Sequence, residues 1–368
     1  MKLPIKGEVR AGIIGAGLIG QSHSMMLRQV AERIEGSVRV TAVADLAPAQ
    51  AQQLAARWPG ARVVSDAREI VDAPDIDAVW VCTPTALHRA IYLASVRAGK
   101  HVFCEKPLAM TVAEAAEMAE AARLAGVASQ VGLVLRFSPV YTVIRAMAAG
   151  PEAGRMLAVT MRDDQDFPTR GVHASGWRND PSLTAGGTLA EHSVHDFDLL
   201  TWMFGGISRL YCRVGNLNGA AGVEDLGAVE MEFAAGFHGQ LTSVWHRMIG
   251  RPSNRRLEVF AENLFIACDH DAAGPIIIQR GDAAGEEILA EGDVMRRFEE
   301  ILLSERPYLA PMKDWFAVPY ALEDAAFIAA LRGQCEVDPE IKAGVAAQRL
   351  VEAAYASARA GVPIRIET

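Results

Sequence analysis

Short apolar runs, each followed by apolar residues at helical spacing, fill the first third of the chain. Val9 to Ile14 ends in glycines and predicts a buried strand, and Leu18 to Ile34 predicts a helix. Val38 to Ala44 is a second β-rich run, closed by Asp45, and Pro48 opens a helix in its first turn. Ala78 to Cys82 and His101 to Cys104 read as further strands. Between them Ala86 to Ala98 has helical spacing, with Gly99 in the capping place. Thr111-Val112-Ala113-Glu114 is a capping box for a helix to about Ala125, and Val127 to Leu135 predicts a last strand. Strands alternating with such helices imply a doubly wound parallel sheet with helices on both faces, an α/β arrangement.

From about Arg155 the pattern changes. Strand-like runs follow one another at Met156–Met161, Arg209–Val214, Val229–Phe233, Gln240–Trp245, Leu257–Ala261 and Pro275–Gln279. Helical spacing flanks them near Val194–Phe204, Met295–Leu303, Pro319–Leu331 and Gly344–Arg359. Neighbours separated by turns such as Ala234-Ala235-Gly236 predict an α+β domain, an antiparallel sheet backed by helices. The expected division is 1–135 and 136–368.

Composition narrows the functional classes. A formal net charge of −9 disfavours general nucleic-acid binding, which draws its affinity from cations on phosphates. No Lys/Arg cluster suits an anionic membrane surface, and no run approaches the ~18 apolar residues of a membrane span. Five cysteines (Cys82, Cys104, Cys212, Cys268, Cys335), none at C-x-x-C spacing, argue against a disulfide framework or zinc site and fit a reducing cytoplasm. Ala11–Gly20 is too glycine-rich for a signal-peptide core.

Gly15-Ala16-Gly17-Leu18-Ile19-Gly20 fits G-x-G-x-x-G in the context that gives the motif meaning: after a strand, before a helix, with an acidic residue ending the next strand. Gly15 permits the turn, Gly17 lets backbone approach a pyrophosphate, and Gly20 allows close helix–strand packing. The helix start at Leu18 and Ile19 offers N–H groups to phosphate. Asp45 would accept hydrogen bonds from the ribose hydroxyls of NAD. A 2′-phosphate about 4 Å from it would be repelled by about 4 kcal/mol at an effective dielectric near 20, so NAD is expected over NADP.

Further blocks carry a family resemblance. Thr83-Pro84-Thr85-Ala86-Leu87-His88, Ala98 to Ala109 with its Glu105-Lys106-Pro107, Arg136-Phe137-Ser138-Pro139, Gly176-Trp177-Arg178, Gly186 to Asp198 and Ala353 to Ala358 together resemble the Gfo/Idh/MocA oxidoreductases. That resemblance implies an NAD(P)-dependent enzyme acting on a secondary alcohol of a sugar, sugar derivative or inositol. It also implies an N-terminal Rossmann domain followed by a domain with a large, mostly antiparallel open sheet, and a homodimer or homotetramer. It puts Thr83 and Pro84 beside the nicotinamide ribose and Glu105 near the same end of the cofactor. His88 has two readings, cofactor contact or structural residue. Trp177 and Arg178, after an expected loop from Asp163 to Gly176, would approach cofactor or substrate.

Oxidising an alcohol requires a hydride acceptor and a base within reach of the hydroxyl. His195, of a type whose unperturbed pKa is near 6.5, is expected as acid/base. Lys106, expected at the carboxyl edge of the sheet where ligands bind, is the electrostatic partner or itself the base. A cis Lys106–Pro107 bond is compatible with a turn there. Glu191 stands where the family usually has aspartate. If 188–198 were one helix, Glu191 would share a face with His195 and orient it; alternatively Thr188-Leu189-Ala190-Glu191 is a capping box. Glu191, His192 and His195 lack H-E-x-x-H spacing, so no metal is expected, and His192 reads as a packed histidine. Two other functional classes share these motifs: an NAD-retaining enzyme using transient oxidation for elimination or glycoside cleavage, and a non-catalytic NAD-binding protein.

Overall fold

The computed structural model describes residues 4–366 apart from 170–173, 218, 249, 252, 272 and 282–284. In its first part β1 (Val9–Ile14), α1 (Leu18–Arg33), β2 (Val38–Ala44), α2 (Pro48–Ala55), β3 (Arg62–Val64), α3 (Ala67–Val71), β4 (Ala78–Val81), α4 (Thr85–Arg97), β5 (His101–Cys104), α5 (Val112–Ala125) and β6 (Ser129–Val131) alternate. The strands form a parallel sheet in the order β3-β2-β1-β4-β5-β6. Helices cover such a sheet on both faces, which is why β4 and β5 are apolar runs buried at every residue. The β1 glycine Gly12 packs without a side chain against Ile70 and Ile76.

The second part contains α6 (Pro139–Ala148), β7 (Met156–Asp166), α7 (Thr188–Glu191), α8 (Val194–Phe204), β8 (Ile207–Gly215), β9 (Leu226–Phe233), β10 (His238–His246), β11 (Asn254–Ala261), β12 (Leu264–Cys268), β13 (Ile276–Arg280), β14 (Glu287–Leu289) and α9 (Glu291–Glu305). Then follow α10 (Pro319–Leu331), α11 (Ile341–Ala360) and β15 (Ile364–Arg365). The second sheet runs β14-β13-β12-β11-β7-β10-β9-β8-β15 and is antiparallel except between β7 and β10. Its strands alternate buried and exposed residues, as in β9, because one face is covered and the other is not.

The chain packs as two units, residues 4–134 with 305–345 and residues 135–304 with 346–366. The expected cut at 135 therefore misassigns 305–345. The cause lies in α10, where every residue from Ala321 to Leu331 is buried. A helix apolar on all sides needs cover on all sides, and α10 finds part of it against α1 of the first unit.

Local expectations differ in three places. The strand expected over Val127–Leu135 is only Ser129–Val131, followed by a 3-10 turn over Val134–Phe137. The chain leaves the sheet at Gly132, where a Cβ would come within 2.7 Å of the Glu105 carboxylate. The loop expected from Asp163 begins later, because β7 continues to Asp166 in register with His246 of β10; residues 170–173 of that stretch lie outside the described residues. Short or ambiguous strands at β3, β12, β14 and β15 were not anticipated from the pattern. Among the described residues no helix is long and apolar enough to cross a membrane, and all five cysteines are free thiols.

Candidate active site

The glycine loop joins β1 to α1. Gly15 has φ +98°, and a Cβ there would lie 2.5 Å from the Cys82 carbonyl oxygen. Gly20 packs so closely that a Cβ would lie 2.0 Å from the Gly15 carbonyl oxygen. A Cβ on Gly17, by contrast, would meet nothing within 4 Å. Two glycines thus serve packing, and the middle one faces open space, as a phosphate cradle requires. Gly17 caps α1 without a side-chain bond, and no acidic residue sits in the first turn, so the N–H groups and positive dipole end remain suited to an anion.

Asp45 ends β2 beside this loop. Its Oδ2 accepts the Ala16 N–H at 2.6 Å and its Oδ1 accepts the Ala47 N–H at 2.7 Å. These bonds fix the carboxylate at the loop, and each oxygen keeps a second lone pair for a ribose hydroxyl. Ala47, not Asp45, is the N-cap of α2. Leu46 beside it is 89% exposed.

Two further segments leave the same edge from neighbouring strands. After β4, the Thr83 hydroxyl oxygen is buried with no hydrogen-bond partner among the described residues. Such a group is costly unless something satisfies it, and a ribose hydroxyl fits that need. Pro84 caps α4, and His88 lies one turn inside it. The His88 ring is buried, with Nδ1 2.8 Å from the Pro107 carbonyl oxygen and Nε2 2.8 Å from that of Thr83. These contacts tie the Thr83 turn to the Lys106–Pro107 turn, which is the structural reading of His88. After β5, Glu105 is buried, Lys106 is half-buried and the Lys106–Pro107 bond is cis.

In the second unit, α7 stops at Glu191 and α8 starts at Val194; His192 has φ −125° and ψ −60°. The segment is not one helix, so the i,i+4 argument joining Glu191 to His195 does not apply. The capping box also fails to form. Thr188 is inside α7, its hydroxyl pairs with Ser243 at 2.6 Å, and Glu191 N–H donates to the Gly187 carbonyl. The buried Glu191 carboxylate instead accepts the Ala185 N–H at 3.1 Å and lies 3.6 Å from Arg178 Nε. Arg178 stacks its guanidinium 4.4 Å from the Trp177 ring centroid and donates to the Ser175 hydroxyl. His195 is buried in the first turn of α8. Arg136, in one of the blocks that carry the family resemblance, makes a bidentate pair with Asp198 at 2.6 and 2.9 Å.

Sequence reading missed the groups that hold this segment. Glu224 accepts N–H bonds from Gly187 (2.7 Å) and Leu189 (3.0 Å), and its own carbonyl accepts from Thr188 (2.9 Å). It therefore caps α7 from a distant loop, and the Tyr355 hydroxyl donates to it at 2.7 Å. On the other side, buried Arg255 reaches Asp196 (2.7 Å), Asp271 (2.6 Å), Asp163 (3.4 Å) and His192 Nε2 (2.9 Å). His192 Nδ1 lies 2.5 Å from Asp163. One guanidinium cannot offset three carboxylates. Burial first, and mutual repulsion with it, pushes the Asp163–Asp196 pair up to about 6. Only long-range pairing reveals such a cluster; the sequence signal was no more than an arginine within a strand that is otherwise half buried.

Known proteins resemble the chain over nearly its whole length. A family model described as an oxidoreductase family with an NAD-binding Rossmann fold matches residues 9–133, and the GFO/IDH/MocA C-terminal domain model matches residues 141–266. The chain is 26% identical to the uncharacterized oxidoreductase YrbE of Bacillus subtilis over 98% of this chain and 97% of that protein. It is 35% identical to the inositol 2-dehydrogenase of Acidothermus cellulolyticus, in an alignment spanning 54% of each. In fold it resembles a levoglucosan dehydrogenase solved with NADH and levoglucosan, with a TM-score of 0.84 and 21% identity over 98% of this chain and 100% of that one. Two models of one family, together matching more than half of its length, make this chain a member of the Gfo/Idh/MocA oxidoreductase family.

Proposed function

We propose that the protein transfers a hydride between a secondary alcohol of a sugar, sugar derivative or inositol and NAD. The observation that carries this reading is the sheet edge of the first unit. There the Thr83 hydroxyl, with no partner among the described residues, and the Lys106 turn follow adjacent strands, at the same edge as a glycine loop whose middle position is open. Bound nicotinamide supplies the hydride acceptor. Gly15, Gly17, Leu18, Ile19 and Gly20 hold the pyrophosphate; Thr83, Pro84 and Glu105 serve the nicotinamide end. Asp45 accepts the ribose hydroxyls and repels a 2′-phosphate, so NAD is preferred over NADP. His195 takes the hydroxyl proton, and the Lys106 ammonium stabilises the oxygen as charge develops on it. Glu191 restrains Arg178, and Trp177 stacks on that guanidinium, leaving Arg178 to meet cofactor or substrate. The relatives named above support the substrate class.

The protein is further proposed to be a cytoplasmic homo-oligomer. Phe260, over 40% exposed on β11, packs against Phe265 of β12 and gives the open face of the second sheet apolar surface to cover. Sedimentation at micromolar concentration tests this; a monomer would refute it.

The test of function is a screen of inositols, sugars and sugar acids with NAD, following NADH absorbance, with Lys106→Ala and His195→Ala in parallel. Each variant is expected to lose at least about 100-fold in kcat. Full turnover by Lys106→Ala would remove the mechanism. Substrate consumption with no net NADH would favour transient oxidation, and NADH binding without any turnover would favour a non-catalytic role.

A further inference from the structure

Behind Lys106 the first unit buries a row of three ionisable groups. His23, on the second turn of α1, has no exposed surface. Its Nε2 lies 2.9 Å from Glu105 Oε1, and its Nδ1 lies 3.0 Å from both carboxylate oxygens of Asp324 on α10. Two carboxylates offer acceptors only, so both ring nitrogens carry protons. Burial alone would lower the ring's pKa; the charges and bonds of Asp324 and Glu105 outweigh it and hold the ring well above its ordinary value. For Glu105, burial pushes upward, and the bond from His23 with the nearby positive charges leaves its pKa lowered. Asp324 also accepts the Trp80 indole N–H at 2.9 Å. Phe103 and Tyr320 present edge-on contacts to the imidazole at 4.8 and 5.9 Å. Burial, and after it the Glu105 charge, pushes up the thiols of Cys82, just past β4, and Cys104, at the end of β5, so they stay neutral.

The second oxygen of Glu105 is the useful one. Glu105 Oε2 accepts the backbone N–H of Lys106 at 3.1 Å. Gly132 leaves the carboxylate its room, since a Cβ there would lie 2.7 Å from Oε1. We propose that His23 is the positioning residue of the Lys106 turn: bridging Asp324 and Glu105, it fixes the Glu105 carboxylate under Lys106 and ties the glycine-loop helix to the turn that presents the ammonium. The proposal builds on the reading that Lys106 is a working residue of the site. Without a donor from residue 23, Oε1 of the buried Glu105 carboxylate would be left without that bond, and the carboxylate would take up a proton. Lys106 would then lose its anionic neighbour.

The two ring nitrogens can be deleted one at a time. His23→Asn keeps a donor toward Asp324 and loses the one toward Glu105; His23→Gln does the reverse. The readout is the Lys106 amine itself. The chain has only six lysines, so reductive methylation of the full-length protein with isotope-labelled formaldehyde gives few NMR signals, and Lys106→Arg identifies the one sought. In His23→Asn the Lys106 titration midpoint is expected to fall by about 1 pH unit, the low end for loss of an adjacent opposite charge. In His23→Gln it should move by less than half as much. Glu105→Gln, which leaves the His23–Asp324 contact in place, should reproduce the fall if His23→Asn does not fold. Equal midpoints in wild type and in whichever of His23→Asn or Glu105→Gln folds would overturn the proposal. This measurement needs no substrate, so failure to oxidise any polyol would defeat the dehydrogenase reading and leave this one standing.

Discussion

Single residues at the sheet edge divide sharply between those that pack and those that face open space. Gly20 and Gly17 belong to one motif, yet a Cβ would strike backbone at 2.0 Å in the first and nothing in the second. Gly20→Ala is therefore expected to lower Tm by several degrees, whereas Gly17→Ala should keep Tm and weaken NADH binding at least tenfold. Fluorescence titration with NADH and thermal unfolding of both variants separate the two effects. A Gly17→Ala protein with wild-type affinity would show that the pyrophosphate does not sit there. Asp45 is the other discriminating residue, held by the Ala16 and Ala47 N–H groups with lone pairs to spare. Asp45→Ser removes the charge proposed to oppose a 2′-phosphate. The NAD:NADP ratio of kcat/KM should fall by at least about 100-fold, which corresponds to about 2.7 kcal/mol of the repulsion. An unchanged ratio would free Asp45 of that role.

At the scale of elements, the segment from Gly186 to His195 is short, broken and held from outside. α7 has four residues and no side-chain cap of its own. Glu224 supplies the missing acceptors, and burial, outweighing the bonds it receives, raises its pKa. Glu224→Ala leaves two buried N–H groups and the Tyr355 hydroxyl without their acceptor. A loss of about 1–3 kcal/mol is expected by denaturant unfolding, and kcat should drop more than KM rises because His195 is carried by the segment. A variant with unaltered unfolding would mean that the segment holds itself. The sequence left two readings open here, a capping box at Thr188–Glu191 or one helix over 188–198 with Glu191 and His195 on one face. Neither formed, because local preference lost to Glu224 and to the Arg255 cluster, whose partners lie 16 to 92 residues away from it.

For the whole molecule, buried charge sets the response to pH. Asp163 and Asp196 titrate as a pair near 6 in the folded protein, above the ordinary 3.8. The folded state thus holds a proton that the unfolded state has released. Their contribution to stability is full below about pH 4 and is lost as pH rises through about 6. Glu105 runs the other way: its lowered pKa gives stability above about pH 4.5 that disappears in acid. Asp196→Asn deletes one member of the pair. Relative to wild type, its Tm should improve steadily from pH 4 to pH 7; a constant difference across that range would contradict the assignment.

The chain's own pattern sufficed for the elements whose period and punctuation agree. β1, β2, β5, α8 and α10 were legible to the residue, and the glycine loop, Asp45 and Lys106 followed from their place at strand ends. Such signals are local, since alternation, caps and glycines act over a few residues. What depends on distant parts of the chain was not legible. Asp324 stands out only as a charge inside an apolar helix, and nothing local says that it meets His23, 301 residues away, or that α10 folds with the first unit. The same holds for Glu224 beneath α7 and for Arg255 among its carboxylates. Burying an ionised group is tolerated only when a partner arrives with it, and which partner arrives is decided by tertiary packing, not by the neighbours in sequence.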